Sequence, residues 1–513
     1  MSGLPLLTLM IVVPLIAALI IAVLPSGSAA MAKPIALGAS LVTLVLSLVA
    51  WAEWDAAGPQ FQLTETYAWI PQFGVSYAVG VDGIALSLIV MASVLTPICL
   101  LAAWNDLGEG AGDNPGRTKT YFALMLTLLP FMVGVFAALD VFLFYVIFEA
   151  MLIPVYFLIG MFGGDGRRRA AMKFILFSLA GGLIMLVGVI ALYFAGPGGE
   201  QGFLMENLIG QVGGSVEAQR WMFLAFFIAL AIKAPMVPLH TWLPDAAAAA
   251  RPATSVLLVG VLDKVGTFGM IRYCLSLFPE ASTWATPVVM VLAVISIIYG
   301  GLLAIGQQDM MRLIAFTSIS HFGFIVLGIF AMTSTAGAGS ALYMVNHGFS
   351  TAGLFLIAGF LIARRGSARI ADYGGWQRVT PVLAGTFLVA GLSSLALPGL
   401  SSFVSEFLVL AGTFQFSKVA AVVATFGLVI AALYILLMYQ RVMTGPKPEL
   451  GDQTPPDLNW REKAVVIPII ASFIVFGFYP KPILDLVNPT VEQTMTHVGV
   501  TDPAPTSASG SAK

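Results

Sequence analysis

The sequence predicts an all-α, polytopic membrane protein of about fourteen transmembrane helices, part of it built as two inverted five-helix repeats that each contain a broken helix. Three observations lead to this prediction. Of the 513 residues, 59% are hydrophobic and only 10% are charged, far from the composition of a soluble domain. Apolar runs of about 18–25 residues recur along nearly the whole chain, and the basic residues fall mainly in alternate loops.

Each apolar run is long enough to cross a bilayer. Its backbone polar groups must hydrogen bond within the segment, so we expect helices. The first run lacks a cleavage-like site and is expected to be a retained helix. The predicted runs cover about 5–25, 34–53, 84–104, 120–138, 141–162, 172–195, 221–240, 254–277, 285–305, 311–332, 341–363, 382–413, 418–440 and 463–479.

The basic residues indicate the orientation. With alternating loops, one set of loops holds 17 of the 24 Lys and Arg residues and the other holds 5, while the remaining 2, Lys233 and Lys264, fall inside apolar runs. Because basic loops stay in the cytoplasm, both termini are expected outside.

The chain divides into five predicted parts, and an odd number of helices per repeat inverts the second repeat against the first. The parts are an N-terminal three-helix segment with an acidic outside loop (1–110), a first five-helix repeat (120–277), a second (285–440), a cytoplasmic loop with the last helix (441–480) and a flexible tail (481–513).

The fourth helix of each repeat is predicted to break within the membrane. Three prolines interrupt IKAPMVPLHTWLPDA (232–246), and Pro398 with Gly399 interrupts LALPGLSSFVSEFLVLAG (395–412). Proline removes a backbone donor and clashes with the preceding turn. Broken helices at matching positions of inverted halves indicate a transport site.

Four ionisable residues lie within apolar segments: Glu149, Lys233, Lys264 and Glu406. Each costs several kcal/mol to place in a bilayer, so each is a candidate functional residue. Lys233 immediately precedes the first break and Glu406 follows the second. Such a set on separate helices is typical of proteins that move protons or ions.

Each of these residues also has a structural interpretation. A lysine exchanges a proton near neutral pH only when desolvation and a nearby carboxylate oppose each other, so Glu149 is the expected partner of Lys233; the alternative is a static salt bridge between helices. Lys264 is either functional or a snorkelling lysine. Asp263, a possible auxiliary, projects about 100° away from Lys264 around a helix. Glu406 is a gate or a buried neutral carboxyl.

The histidines extend the candidate set. His321 and His347 lie on neighbouring helices with polar neighbours such as Ser320, and histidine can shuttle a proton through either ring nitrogen. The alternative for each is a satisfied core residue. His240, at the cytoplasmic end of the first broken helix, is a possible auxiliary or a packing group.

Other function classes find little support. Cys99 and Cys274 both lie in apolar segments, so neither a disulfide framework nor a thiolate metal site is expected. Metal-binding, phosphate-binding and nucleotide-binding motifs do not stand out, so no catalytic residue, metal or bound cofactor is predicted in this chain, and no nucleic acid partner.

The chain resembles the antiporter-like membrane subunits of respiratory NADH:quinone oxidoreductase (complex I), which are themselves similar to subunits of multisubunit Na+/H+ antiporters. The resemblance rests on FYVIFEAMLIPVYFLIG, IKAPMVPLHTWLPDA, LLVGVLDKVGTFG, SHFGF, NHGFSTAGLF and the second break, over about 120–445. It implies fourteen helices and a proton pathway along the membrane axis. It also implies a carboxylate–lysine pair at Glu149 and Lys233, a central lysine at Lys264 and linking histidines at His321 and His347.

The resemblance has further implications. The other large members usually carry lysine at the second break, so Glu406 marks one particular group of subunits, and the length leaves no room for a long lateral helix. Partners would be other membrane-arm subunits and lipid, with NADH, FMN, Fe–S clusters and quinone in partner subunits, in a bacterial inner membrane. Two positions depart from the family. Ala247 stands in place of a histidine that the family usually has shortly after LPDA, and Asp263 replaces a usually apolar residue.

The sequence therefore predicts a proton-translocating subunit in which Lys264, His321 and His347 link the Glu149–Lys233 pair to Glu406. The alternatives are a subunit of a Na+/H+ antiporter or membrane hydrogenase, a passive scaffold for redox subunits and, less favoured, a stand-alone solute transporter. Neighbouring genes without NADH-oxidising subunits would favour the first, and normal pumping after neutralisation of Glu149 would favour the scaffold.

Overall fold

The computed structural model describes residues 4–107, 115–448 and 454–500 and consists almost entirely of helices. The first half of the described chain contains α1 (Leu6–Val23), α2 (Ala32–Ala52), strands β1 (Gln62–Ile70) and β2 (Val75–Val81), α3 (Gly83–Ala102), α4 (Pro115–Ala137), α5 (Val141–Ala150), α6 (Leu152–Phe162), α7 (Arg167–Ala195), α8 (Met205–Leu208), α9 (Val216–Lys233), α10 (Trp242–Ala249), α11 (Pro252–Ser255) and α12 (Lys264–Gly269).

The second half is a series of longer helices. They are α13 (Pro279–Ile305), α14 (Met310–Phe330), α15 (Ser334–Arg365), α16 (Pro381–Ser394), α17 (Ser401–Phe416), α18 (Lys418–Met443), α19 (Trp460–Phe478) and α20 (Lys481–Val498).

The helices confirm a polytopic membrane fold. Among the described residues, 11 helical segments are long and apolar enough to cross a membrane, or up to 12 if α19 and α20, which meet at a bend of 67°, count as one span. The predicted run 382–413 is divided between α16 and α17, whereas the run 221–240 contains the end of α9 and the break that follows it. The total of fourteen spans and the inverted repeats stay predictions.

Both predicted breaks are present. Helix α9 ends at Lys233 and α10 begins at Trp242, and the backbone groups released there find partners: the Trp242 indole donates to the Ile232 carbonyl at 2.9 Å, and the Val237 amide donates to the Ser296 hydroxyl at 3.0 Å. Such partners are required because lipid offers none.

The second break lies between α16 and α17. Gly399 adopts a φ of +90° there, a left-handed conformation that favours glycine. The Asn346 side-chain amide on α15 donates to the Ser401 carbonyl at 2.7 Å. The two breaks therefore lie against helices α13 and α15, which carry polar side chains into the protein interior.

The segment Pro252–Leu275 is buried at every residue after Pro252, and it is irregular. Helix α12 lies between two π-helical stretches, Val256–Leu262 and Met270–Leu275, a feature that often marks functional positions in helices. At Gly266 a Cβ atom would lie 2.4 Å from the Ala234 nitrogen. Glycine therefore lets α12 approach the backbone of the first break directly.

A buried ion pair joins the N-terminal segment to this central helix. Asp82 caps α3 by accepting from the Ala85 amide at 2.7 Å, and its other oxygen accepts from Arg272. Arg272 also donates to the Phe136 and Ala138 carbonyls, at 3.1 and 3.2 Å. Arg272 is one of the 5 basic residues that its sequence position assigns to the second set of loops, yet it is only 3% exposed.

The flanks contain two elements that the sequence did not predict. The loop that is expected to lie outside contains the antiparallel hairpin β1–β2, in which Gln62 pairs with Val81 and Ile70 with Val75. The tail was predicted to be flexible from 481, yet Lys481–Val498 forms α20, which packs on α3 and α15. Residues 501–513 lie outside the described part.

Candidate functional site

The centre of the site is a contact between Lys264 and His347. Lys264 is fully buried at the start of α12. Its Nζ lies 2.6 Å from His347 Nδ1 and donates to the Val259 carbonyl in the preceding π-helical stretch at 2.8 Å. The Phe322 ring centroid lies 5.0 Å from the same ammonium group, in cation–π range. Lys264 is therefore held by α15, not left to snorkel towards an interface.

The two predicted linking histidines are neighbours. The ring centroids of His321 on α14 and His347 on α15 lie 5.4 Å apart, with the rings tilted by 50°. Both are buried, and His347 Nε2 has no hydrogen-bond partner among the described residues. The lysine contact and the histidine contact together form a polar line that passes from α12 to α14.

Glu406 lies at the far end of this line. His321 Nδ1 is 3.5 Å from Glu406 Oε1, and the Tyr343 hydroxyl donates a hydrogen bond to the same oxygen. His321 Nδ1 is also hydrogen bonded to the Tyr343 hydroxyl. Glu406 is 3% exposed, and its Oε2 has no partner in the described chain. The structure thus brings Lys264, His347, His321 and Glu406 together in this order.

The first half of the candidate set is arranged differently. Lys233 Nζ is buried without a hydrogen-bond partner among the described residues, and Glu149 Oε1 is unpartnered as well. The predicted direct pair between them is therefore not formed. Lys233 lies 5.5 and 5.8 Å from the ring centroids of Phe174 and Phe148, and Glu149 packs against Gly182, where a Cβ would come within 1.6 Å of Oε1.

Asp263 interacts electrostatically with both lysines. Its side chain is fully buried, and neither carboxylate oxygen has a hydrogen-bond partner within the described ranges. The carboxylate interacts electrostatically with both Lys233 and Lys264, and Glu149 interacts with Lys233 as well. The residue that departs from the family pattern is therefore a counter-charge that the two lysines share.

The remaining auxiliary candidates lie elsewhere. The Ser320 hydroxyl donates to the Ile297 carbonyl at 2.8 Å, so it is not hydrogen bonded to either histidine. His240 is buried at the first break, with its Nδ1 unpartnered among the described residues and its ring 5.3 Å from that of Tyr299. Ala247 is buried and supplies no titratable group.

An ion-pair cluster lies beside His240 and joins the two halves. Asp245 on α10 accepts from Lys173 on α7 at 2.7 Å and from Arg312 on α14 at 2.5 Å. Lys173 also donates to the Thr241 carbonyl at 2.6 Å. Because these groups are about one-third exposed, this cluster is the more accessible end of the broken helix.

Sequence reasoning missed Tyr343. A signal was available: Tyr343 precedes His347 by four residues on α15, and residues at i and i+4 share a helix face. No group of three or more His, Cys, Asp or Glu side chains that could hold a metal ion was found in the described residues.

Comparisons with known proteins place the chain in a family. The family described as NADH:quinone oxidoreductase/Mrp antiporter, TM, matches residues 138–431. NADH-quinone oxidoreductase subunit M of Mycobacterium tuberculosis is 50% identical, over 99% of this chain and 97% of that protein.

Solved structures agree with this assignment. A chain of respiratory complex I from Thermus thermophilus superposes with a TM-score of 0.86 at 29% identity, over 96% of this chain and 100% of that one. A chain of the Mrp complex from Dietzia sp. DQ12-45-1b shares the fold, with a TM-score of 0.83 at 21% identity over 97% and 100%. The chain belongs to the NADH:quinone oxidoreductase/Mrp antiporter membrane family and, within it, to the subunit M (chain 4) group that Glu406 indicated.

Proposed function

We propose that this chain is the subunit M that translocates protons in an NADH:quinone oxidoreductase. The observation that carries the proposal is the buried line of contacts from Lys264 through His347 and His321 to Glu406. Ionisable groups are costly inside a membrane protein unless they pair with one another. Four such groups in successive contact, on four helices, form a route for protons. Packing alone does not require ionisable side chains at these positions.

The first half supplies the control of this route. Lys233 has no direct partner, so its charge state depends on Asp263 and Glu149 at longer range. Interactions between charges are strong at low dielectric. A change of charge at Glu149 therefore changes the protonation of Lys233. Because Asp263 interacts with both lysines, the new charge of Lys233 also changes the protonation of Lys264. A proton released by Lys264 moves through the histidines to Glu406 and leaves on the outside.

Entry and surroundings complete the proposal. We place proton entry at the Asp245–Lys173–Arg312 cluster, through His240 and water. Ala247, which stands where the family usually has a histidine, cannot carry a proton. The subunit lies in a bacterial inner membrane with both termini outside and contacts other antiporter-like subunits of the membrane arm. NADH oxidation and quinone reduction, with FMN and Fe–S clusters, take place in partner subunits, and this chain holds no cofactor.

A Na+/H+ antiporter subunit is the second candidate, because the Mrp chain shares this fold. That likeness, at 21% identity, concerns the fold alone, whereas the relative that is 50% identical over nearly the whole chain is a subunit M. A scaffold without a proton route is the third candidate. Mutation of the charged residues separates it from the proposal.

Glu149→Gln tests the function in native membranes. We expect NADH-driven proton pumping to fall about two- to tenfold, since removal of a coupling charge changes coupling by roughly 0.5–1.4 kcal/mol. Quinone reduction and the pH gradient are followed together, and assembly is checked on a native gel. Glu280→Gln, the same change at an exposed position, is the control. Normal pumping by an assembled Glu149→Gln complex would support the scaffold.

A further inference from the structure

The last contact of the polar line contains a group that the predicted relay lacks. His321 Nδ1 and Glu406 Oε1 are 3.5 Å apart, longer than a good hydrogen bond. The Tyr343 hydroxyl is hydrogen bonded to both atoms. Tyr343 is only 1% exposed, so its hydroxyl lies in the protein interior, where it bridges the two groups.

The hydrogen-bond directions suit a transfer. A phenolic hydroxyl has one hydrogen to donate and also accepts. Tyr343 donates to Glu406, so its contact with His321 is one in which Nδ1–H donates to the phenol oxygen. Both neighbours of the hydroxyl are thus in the arrangement that a proton moving from His321 to Glu406 needs.

We propose that Tyr343 passes the proton from His321 to Glu406, a step that rests on the proposed function. The His321 Nδ1–H bond breaks as a new O–H bond forms on Tyr343, while the original phenolic O–H bond breaks and its proton joins Glu406 Oε1. His321 begins as an imidazolium protonated on both nitrogens and ends as a neutral imidazole, Glu406 gains one proton, and the tyrosine is unchanged. The step resets when Glu406 has released its proton, the hydroxyl rotates back towards Glu406 and His321 Nδ1 is protonated again.

A second tyrosine offers a matched comparison. The Tyr434 hydroxyl on α18 is buried and interacts electrostatically with Glu406, but it has no hydrogen-bond partner among the described residues. Both rings are about 1% exposed. Removing either hydroxyl leaves a buried phenylalanine, and only Tyr343 connects two titratable groups.

Tyr343→Phe in the assembled complex is the test. We expect proton pumping and coupled turnover to fall roughly tenfold. This is a smaller loss than the roughly 100-fold effect of removing a proton-transfer group, because His321 Nδ1 still lies 3.5 Å from Glu406 Oε1. We also expect a larger solvent deuterium isotope effect than in the wild type, because the impaired proton transfer then limits the rate. Tyr434→Phe should leave both quantities unchanged.

Glu406→Gln, measured in parallel, separates the two levels of the proposal. If Glu406→Gln stops pumping while Tyr343→Phe pumps with a normal rate and isotope effect, the tyrosine step is wrong and the proposed function stands. If neither variant changes pumping, the proposed function fails. A Tyr343→Phe complex with lower thermal stability but normal pumping and a normal isotope effect would make Tyr343 an anchor for Glu406, which overturns the inference.

Discussion

Lys264→Met should stop NADH-driven proton pumping while the complex still assembles. Methionine fills a similar volume but can neither carry a proton nor bind the His347 nitrogen that lies 2.6 Å from Nζ. Loss of a group that transfers protons lowers the rate roughly 100-fold or more. Quinone reduction should fall with pumping, because the two are coupled. The measurement is NADH-driven acidification of membrane vesicles, with turnover recorded in the same sample.

The control for this variant is Lys418→Met. Lys418 begins α18 on the exposed surface, so the same chemical change there should leave pumping intact. An assembled Lys264→Met complex with wild-type pumping would show that protons do not pass through α12.

Asp263→Asn should lower coupled pumping more than Glu149→Gln does. Two buried lysines share the Asp263 carboxylate, whereas Glu149 interacts with Lys233. Without it, the balance between the charged and neutral forms of both lysines changes. An interaction of about 2 kcal/mol corresponds to roughly a 30-fold loss of coupled pumping.

Asp263→Glu and Asp372→Asn accompany this variant. Asp263→Glu keeps the charge and should retain part of the activity, whereas Asp372→Asn neutralises an exposed carboxylate and should have no effect. The comparison is the proton-to-electron ratio of each assembled complex. If Asp263→Asn pumps normally while Glu149→Gln does not, Glu149 is the counter-charge of Lys233 and the ranking of the two carboxylates is reversed.

Part of the site could be predicted because an ionisable residue within an apolar run is recognisable from the sequence alone. Lys264, His321, His347 and Glu406 each stand within an apolar helix, and a costly group there must meet another. The structure joins these four through direct contacts. What spacing cannot provide is the direction of a side chain between helices, so the sequence did not distinguish a direct partner of Lys233 from a distant one.

Asp263 and Tyr343 illustrate this limit. Rotation of about 100° per residue predicts that Asp263 need not pair with Lys264, and neither Asp263 oxygen has a hydrogen-bond partner in the described chain. The rotation did not indicate that Asp263 also interacts electrostatically with Lys233. Tyr343 was overlooked because a tyrosine on an apolar helix is usually a core residue. Ser320 was included because it adjoins His321 in the sequence, although its hydroxyl binds the Ile297 carbonyl on another helix.

The same reasoning applies to the fold. Prolines located both breaks, because their effect on a helix is local. The helix α20 was missed because proline and polar residues dominate the composition of the tail. Its buried residues nevertheless recur at spacings of three and four, the pattern of an amphipathic helix: Ile483, Leu486, Val487, Thr490, Val491, Thr494 and Met495.

Infrared difference spectroscopy of the assembled complex tests most directly whether the buried carboxylates exchange protons or only hold helices together. Spectra are recorded before and during NADH-driven turnover. If the relay operates, the C=O band of a protonated carboxyl changes during turnover, disappears from the difference spectrum of Glu406→Gln and persists in that of Glu280→Gln. Identical carboxyl bands in the wild type and in an assembled Glu406→Gln complex would contradict the relay.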